Sequence, residues 1–472
     1  MSEKVIPIRE VPGLLVLGRE STRDAGAMNV SGTQAKPSAS SKPSASSKAS
    51  ASSKASATSA QRETLPASVT SSASATSPVV LWRNGSGIEF TTNASAVWVR
   101  FEADWQRMEP WVAIDLDGVQ IQRFAVAPGT SEMQIFGNMN PGQLRDWHVR
   151  IVRENQSEPG DDQQYLAITA LRVEGVEQGS GFTPVEPYAR RIEFIGDSIT
   201  TGEGATGTRG DNDWSSVFFS YENSYANLVG RALNADVRVC SQSGWGLRAD
   251  WRNDRANRIP LIYEKVCGAS TGESQQARGS QDAYDFSSWQ PQAVVINLGT
   301  NDRNGFRMPA LADTTSKLEP QPLFKEHQAG ERELEESMWV NAHIAGQFEL
   351  AGTDNLEKLR DDALKIATTL NADALDIALL QRDAREFVAM VRKNNPTALI
   401  VWAFGLYEPE FGVVFSRALE QYSELSGDTN VKFVLLPQMR EETTGAHEHP
   451  GAKAHRECAQ VLVKELKAAL RW

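Results

Sequence analysis

The strongest constraint on the fold is a change of hydrophobic period at Pro184 and Pro187. Before it, from Val79 to about Glu177, short segments alternate apolar with polar residues, as in Ala96-Val-Trp-Val-Arg-Phe101, Trp111-Val-Ala-Ile-Asp-Leu116 and Trp147-His-Val-Arg-Ile-Val152. Asp117-Gly118, Pro128-Gly129 and Pro141-Gly142 separate them, so each segment reads as a half-buried strand between tight turns. After it, runs that are apolar almost throughout alternate with helical stretches: Ile192–Ile195, Val237–Cys240, Ala293–Leu298, Ala398–Phe404 and Val431–Leu436. Continuous apolar strands divided by helices build a parallel sheet covered on both faces. The predicted class is therefore α/β, with a β-sandwich of the jelly-roll type in front of it.

Boundaries follow from composition. Residues 1–30 carry Leu14-Leu-Val-Leu17, a strand expected to join the sandwich. Residues 31–78 hold hexads of Ser, Ala and Lys beginning at Lys36. They have nothing to bury, so a solvated, disordered insert is expected there. The sandwich then takes residues 79–184 and the α/β domain residues 188–472. A charged helical stretch at about 307–372 interrupts the second domain and reads as an inserted cap or an oligomer contact; the oligomeric state stays open.

Several classes of function are excluded by composition. A net charge of −12 without a concentrated basic stretch argues against a nucleic-acid partner. No window reaches the roughly 18 consecutive apolar residues of a membrane helix, so no membrane partner is expected. The charged start, Met1-Ser-Glu-Lys, lacks the apolar core of a secretion signal, which predicts a cytoplasmic product. Cys240, Cys267 and Cys458 are odd in number and far apart, which excludes a disulfide framework and a cysteine-rich zinc site.

Four stretches of the α/β part carry the chemistry. Ile192-Glu-Phe-Ile-Gly-Asp-Ser-Ile-Thr-Thr-Gly-Glu-Gly204 puts Ser198 on a strand-to-helix turn at the carboxyl edge of the sheet, where reacting groups gather. Ser198 is thus a candidate nucleophile, or a plain helix cap. Val239-Cys-Ser-Gln-Ser-Gly-Trp-Gly246 follows a strand, and Gly244 could aim a backbone N–H into the site or simply close a turn. Val294-Val-Ile-Asn-Leu-Gly-Thr-Asn-Asp302 ends in Asn301, whose amide can donate to a negative oxygen or serve the turn. Gly445-Ala-His-Glu-His-Pro-Gly451 supplies His447 and His449, the only two of six histidines on a loop at that edge. Either could take a serine proton. His-Glu-His also suggests a metal, but no third ligand is evident in the sequence, and no metal or other cofactor is expected.

Taken together, these four stretches resemble the SGNH (GDSL-like) hydrolases over residues 188–472 apart from the helical insertion. The preceding sandwich, entered by a strand ending Gly18-Arg19, resembles carbohydrate esterase family 2, which removes acetyl groups from sugars. The resemblance implies a flavodoxin-like SGNH domain and an acyl-enzyme on Ser198 with His449 as general base. It implies an oxyanion hole made of the Ser198 and Gly244 backbone amides and the Asn301 side chain. An aspartate commonly found two or three residues before the histidine is replaced here by His447 or Ala446. The resemblance therefore implies a Ser–His dyad whose imidazole is held by a backbone carbonyl, with no role expected for Glu448. Acetylated mono- or oligosaccharides are the expected substrates, with Trp245 as a sugar contact; Trp214, Trp251, Phe306, Trp402 and Tyr407 sit near the proposed site and could equally be core. The alternatives are a lysophospholipase or thioesterase of the same fold, and a non-catalytic carbohydrate-binding protein.

Overall fold

The computed structural model describes residues 3–21, 77–139, 145–176, 181–308 and 354–472. The serine-rich insert and the greater part of the expected helical insertion lie outside the described residues.

In chain order the N-terminal strands are β1 (Glu3–Pro7), β2 (Leu15–Leu17), β3 (Val79–Val80), β4 (Gly87–Thr92), β5 (Ala96–Asp104), β6 (Trp111–Leu116), β7 (Val119–Ala125), β8 (Gly129–Phe136), β9 (Trp147–Arg153), β10 (Tyr165–Glu174) and β11 (Phe182–Thr183). They form two antiparallel sheets. One runs β1-β10-β5-β8 with β3 also on β10, and the other β11-β4-β9-β6-β7 with β2 on β4. Period-two alternation decides which face is inside: Val97, Val99, Phe101 and Ala103 of β5 are buried against Ile88, Phe90, Ile114 and Ile151 of the opposite sheet. On the outer face, Trp98 lies under the Arg172 guanidinium at 3.6 Å. The expected entry strand does join the sandwich, pairing Leu15–Leu17 with Gly87–Glu89. The strand at Glu3–Pro7 had no clear signal, since its residues are largely exposed on a sheet edge.

The second part is a five-stranded parallel sheet of β12 (Arg190–Gly196), β13 (Ala235–Ser241), β14 (Ala293–Asn297), β15 (Leu399–Leu406) and β16 (Val431–Gln438), ordered β13-β12-β14-β15-β16. That order is flavodoxin-like, and its switch point lies between β12 and β14, where ligands sit at the carboxyl ends of the strands. The helices used below are α1 (Ser198–Thr201), α2 (Tyr225–Leu233), α3 (Thr300–Gly305), α4 (Asp354–Leu370), α5 (Ala374–Asn394), α6 (Gly412–Ser426) and α7 (Ala452–Leu470). Successive strand residues serve opposite cores: Val294 and Ile296 pack with α4, α5 and α6, whereas Ala293 and Val295 pack with α2 and α7. Among the described residues no helix is long and apolar enough to cross a membrane. The three cysteines are buried and unpaired.

The two parts are joined by buried polar contacts. Arg19, just past β2, is 3% exposed and reaches Glu193 of β12 at 2.7 Å. It also donates to the Lys265 carbonyl at 2.9 Å and lies over the Tyr284 ring at 4.3 Å. Arg153, at the end of β9, is equally buried and satisfied by the Leu81, Asn155 and Gln156 carbonyls and the Gln164 amide oxygen. Burial lowers its pKa to about 10, outweighing the opposing pull of Glu158. These bonds fix the turn after β9, and that turn reaches the site.

Candidate active site

Ser198 sits where β12 gives way to α1. Asp197 caps the helix, its carboxylate accepting from the Ile199 N–H at 3.0 Å. Gly202, with φ of +81°, ends the helix after one turn, and Gly204 continues the reversal at +75°. Glu203 between them donates its N–H to the Ser198 carbonyl at 3.1 Å and carries its side chain inward, to 2% exposure. Burial drives the Asp197 carboxyl up to about 7.

The histidine loop precedes α7. The Gly445 N–H donates to the His449 carbonyl at 2.7 Å and the His449 N–H to the Ala446 carbonyl at 3.0 Å, closing a tight loop. His447 and Glu448 both lie in the left-handed region, at φ of +52° and +55°. Each such non-glycine residue costs roughly 1–2 kcal/mol. The loop is pinned from outside, by the His447 N–H to the Asp211 carbonyl at 2.6 Å and by the Tyr407 hydroxyl to the Glu448 carbonyl at 3.1 Å. The left-handed pair turns the His447 carbonyl onto the His449 ring.

Ser198 and His449 meet. Ser198 Oγ is 2.9 Å from His449 Nε2, and His449 Nδ1 is 2.7 Å from the His447 carbonyl oxygen. A carbonyl can only accept, so Nδ1 must carry the proton and Nε2 presents its lone pair to the serine. Among the described residues the Glu448 side chain makes no hydrogen bond or ion pair.

Asn301, in the first turn of α3, donates its amide to Asp197 Oδ2 and to the Trp245 carbonyl, both at 3.2 Å. Gly244 has φ of +78°, a conformation that suits glycine, and a Cβ there would sit 3.1 Å from the Trp251 ring. Among the described residues neither the Ser198 N–H nor the Gly244 N–H has a protein acceptor. Both therefore remain available to a ligand.

Three contributors were missed in the sequence. Asp302, beside Asn301, accepts from the Leu247, Arg248 and Ala249 N–H groups at 2.8, 2.5 and 3.3 Å, tying the Gly244 loop to α3. Its burial raises the carboxyl to about 6. Gln156, from the turn after β9, takes the Ser243 N–H at 2.7 Å, so the sandwich holds the residue next to Gly244. Glu203 is the third: Oε1 is 2.8 Å from His447 Nδ1 and 3.7 Å from His449 Nδ1, and Oε2 accepts from the Ser243 hydroxyl. Only Glu203 had a legible signal, an acid five residues after a candidate nucleophile and flanked by glycines.

Glu203, His447 and His449 also supply the third metal donor that the sequence did not reveal, with their ligand atoms all within 4.8 Å. These atoms already bond to one another or to the loop backbone, which accounts for the cluster as a hydrogen-bonded unit. The Glu203 bond raises the His447 pKa above its ordinary value. Burial pushes the Glu203 carboxyl up, but the two imidazoles and the Ser243 hydroxyl outweigh it and hold it low.

The dyad lies in an open cleft with Gln156 and Glu158 of the sandwich on one wall. Trp245 lines the cleft but is half-buried against the core. Trp214 and Trp251 line it with 44% and 51% of their surface exposed. Tyr407 borders it too, but two of the aromatic residues expected nearby serve packing instead. Trp402 is fully buried and stacked on Phe415 of α6, and Phe306 is partly buried against the same core.

Residues 192–462 match the model of the GDSL-like Lipase/Acylhydrolase family. The chain is 26% identical to the cellulase/esterase CelE of Acetivibrio thermocellus over 77% of its length, and 25% identical to an acetylxylan esterase / glucomannan deacetylase of Cellvibrio japonicus over 46%. It spans 35% and 55% of the length of those curated relatives. Among solved structures, it resembles an acetyl xylan esterase, Est2A, from the rumen bacterium Butyrivibrio proteoclasticus, with 28% identity, full coverage of both chains and a TM-score of 0.74. A family two carbohydrate esterase from Clostridium thermocellum, solved with cellohexaose, shares the fold at 22% identity and a TM-score of 0.57, over 83% of this chain and 94% of that one.

Proposed function

We propose, because the chain belongs to the GDSL-like lipase/acylhydrolase family and joins its α/β domain to the sandwich of carbohydrate esterase family 2, that it is a serine esterase removing acetyl groups from carbohydrates. The observation that carries this reading is the 2.9 Å contact from Ser198 Oγ to His449 Nε2, backed by a carbonyl on Nδ1.

Attack of Ser198 Oγ on the ester carbonyl breaks the O–H bond, and the proton passes to His449 Nε2. The carbonyl oxygen takes up the negative charge within reach of the Ser198 and Gly244 N–H groups and the Asn301 amide. Collapse of this adduct expels the sugar oxygen, which takes the proton from His449. Water then attacks the acetyl-serine with the same base assisting, releasing acetate and restoring Ser198.

The substrate class rests on the relatives named as acetyl xylan esterases and on the cleft itself. Trp214 and Trp251 offer broad exposed faces of the kind that pack on pyranose rings, and Trp245 extends that surface toward Gly244.

The test is acetate release from a panel of acetylated mono- and oligosaccharides by the wild type and by Ser198→Ala. Loss of more than roughly a thousandfold in kcat is expected for the variant. Acetate release at the wild-type rate by Ser198→Ala would refute the reading, and a preference for long acyl chains would favour a lysophospholipase or thioesterase.

A further inference from the structure

A buried carboxylate beside a dyad needs a reason to be there. Glu203 is 2% exposed at its side chain, and no arginine or lysine is paired with it among the described residues. Its three partners all belong to the parts that move charge in the proposed reaction. Oε1 meets His447 Nδ1 at 2.8 Å, and the carbonyl of that same His447 holds His449. The same oxygen lies 3.7 Å from His449 Nδ1 itself. Oε2 accepts from the hydroxyl of Ser243, the residue before Gly244. One side chain thus links the nucleophile's own turn, the base loop and the loop that offers the Gly244 N–H.

Resting on the esterase reading above, we propose that Glu203 is a positioning residue that takes over the task of the acid missing ahead of His449. It orients the His447 carbonyl beneath the base, holds Ser243 so that the Gly244 N–H faces the oxyanion, and opposes the positive charge His449 acquires with the serine proton. The carboxyl is buried and below its ordinary protonation range, so it carries its charge where solvent screens it weakly. The proton on His449 moves between Ser198, Nε2 and the leaving oxygen only; Glu203 receives none. The arrangement differs from a carboxylate bonded directly to Nδ1, because the backbone carbonyl already fills that position.

A role limited to propping up the loops makes a different prediction from one that includes charge. Glu203→Gln preserves size and an acceptor oxygen but removes the charge. The experiment uses the full chain, wild type and Glu203→Gln, with three readings: fluorophosphonate labelling of Ser198 located by mass spectrometry, kcat and KM on a small acetate ester, and the melting temperature. We expect Ser198 to be labelled in the wild type. In the variant we expect kcat and the labelling rate to fall by about 30-fold, as for loss of a charge-assisted partner, with KM within twofold. A variant with kcat within threefold of wild type, or with a raised KM and intact kcat, would overturn the proposal while leaving the esterase reading in place. Absence of labelling in the wild type would instead sink the esterase reading, and this inference with it. Should Glu203→Gln fail to fold, His447→Gln decides, since it leaves the carboxylate but cuts its link to the base loop. A tenfold or larger fall in kcat supports the proposal, and an unchanged kcat overturns it.

Discussion

His449 Nδ1 lies 2.7 Å from the carbonyl oxygen of His447, two residues earlier in the same loop. The base is therefore oriented by its own backbone, and its alignment depends on a loop conformation that two left-handed residues hold open. Whatever disturbs the loop should disturb catalysis before it disturbs the fold.

Gly204 is the place to test this. A Cβ at this residue would lie 2.6 Å from the His449 Cβ and 2.6 Å from the Ala446 carbonyl, at a φ of +75°. Gly204→Ala is expected to shift His449 and lower kcat by about a hundredfold, as displacements near 1 Å do. Steady-state kinetics beside a thermal melt would check it, and a fall in melting temperature with kcat intact would contradict it.

Asn301 now spans the Asp197 carboxyl and the Trp245 carbonyl with two bonds of 3.2 Å. Both are long, so a developing oxyanion can draw one of its N–H groups away from the neutral carbonyl. Asn301→Ala should lower kcat by about 10²–10³ with KM little changed, the usual result of removing one such donor. An equal loss in KM would indicate ground-state binding instead.

Arg19 and Glu193 form a buried pair at the joint between the sandwich and the parallel sheet, with side chains 1% and 2% exposed. Arg19→Met would leave the carboxylate unpaired in the interior. The expected loss of stability is about 3–5 kcal/mol, read from denaturant unfolding. The double substitution with Glu193→Gln should recover part of it.

Stability should decline as pH rises from mildly acidic to neutral. Burial raises the carboxyls of Asp197 and Glu154 to about 7 and that of Asp302 to about 6, above their values in an unfolded chain. Groups raised in this way favour the fold fully below the unfolded pKa and lose that contribution as pH rises through the folded one. His447, raised by its bond to Glu203, loses its share in the same direction. Glu203 and Asp383 act oppositely. Burial works against both charges, but the imidazoles in one case and Arg382 and Arg248 in the other hold them low, so their contribution disappears in acid. The melting temperature is expected to be highest at about pH 4–5 and to fall between there and about pH 7. A curve still rising at pH 8 would contradict the assignment.

The cleft tryptophans can be separated by substrate. Trp251→Ala should raise KM several-fold, roughly 1 kcal/mol for a lost stacking face, on an acetylated oligosaccharide and leave a small acetate ester unaffected. Equal effects on both substrates would place Trp251 in support of the Gly244 loop.

The sequence exposed what is encoded locally. Strands β12 to β16 are apolar runs with turn residues at both ends, and Ser198, Gly244, Asn301 and His449 stand at the carboxyl ends or in the loop before α7. The contact between Ser198 and His449 crosses 251 positions of sequence; the residues alone left His447 equally eligible, and the resemblance to the SGNH hydrolases chose between them. What stayed hidden was the support, because Gln156, Glu203 and Asp302 act through main-chain and side-chain partners that no spacing rule pairs. Trp402 and Phe306 were placed near the site because strand ends and loops attract function. Both proved to be packing, since an aromatic ring carries no mark of which face of the sheet it serves.

Among the bonds that cross the joint between the two parts, one reaches the site: the Gln156 side chain accepts the Ser243 N–H from 87 positions away. A hydrolase half cut loose from its neighbour would keep serine and imidazole together yet lose a brace for the strip of backbone that meets the substrate's oxygen. Grafting the hydrolase half onto a foreign partner would therefore import an enzyme with an unfinished floor.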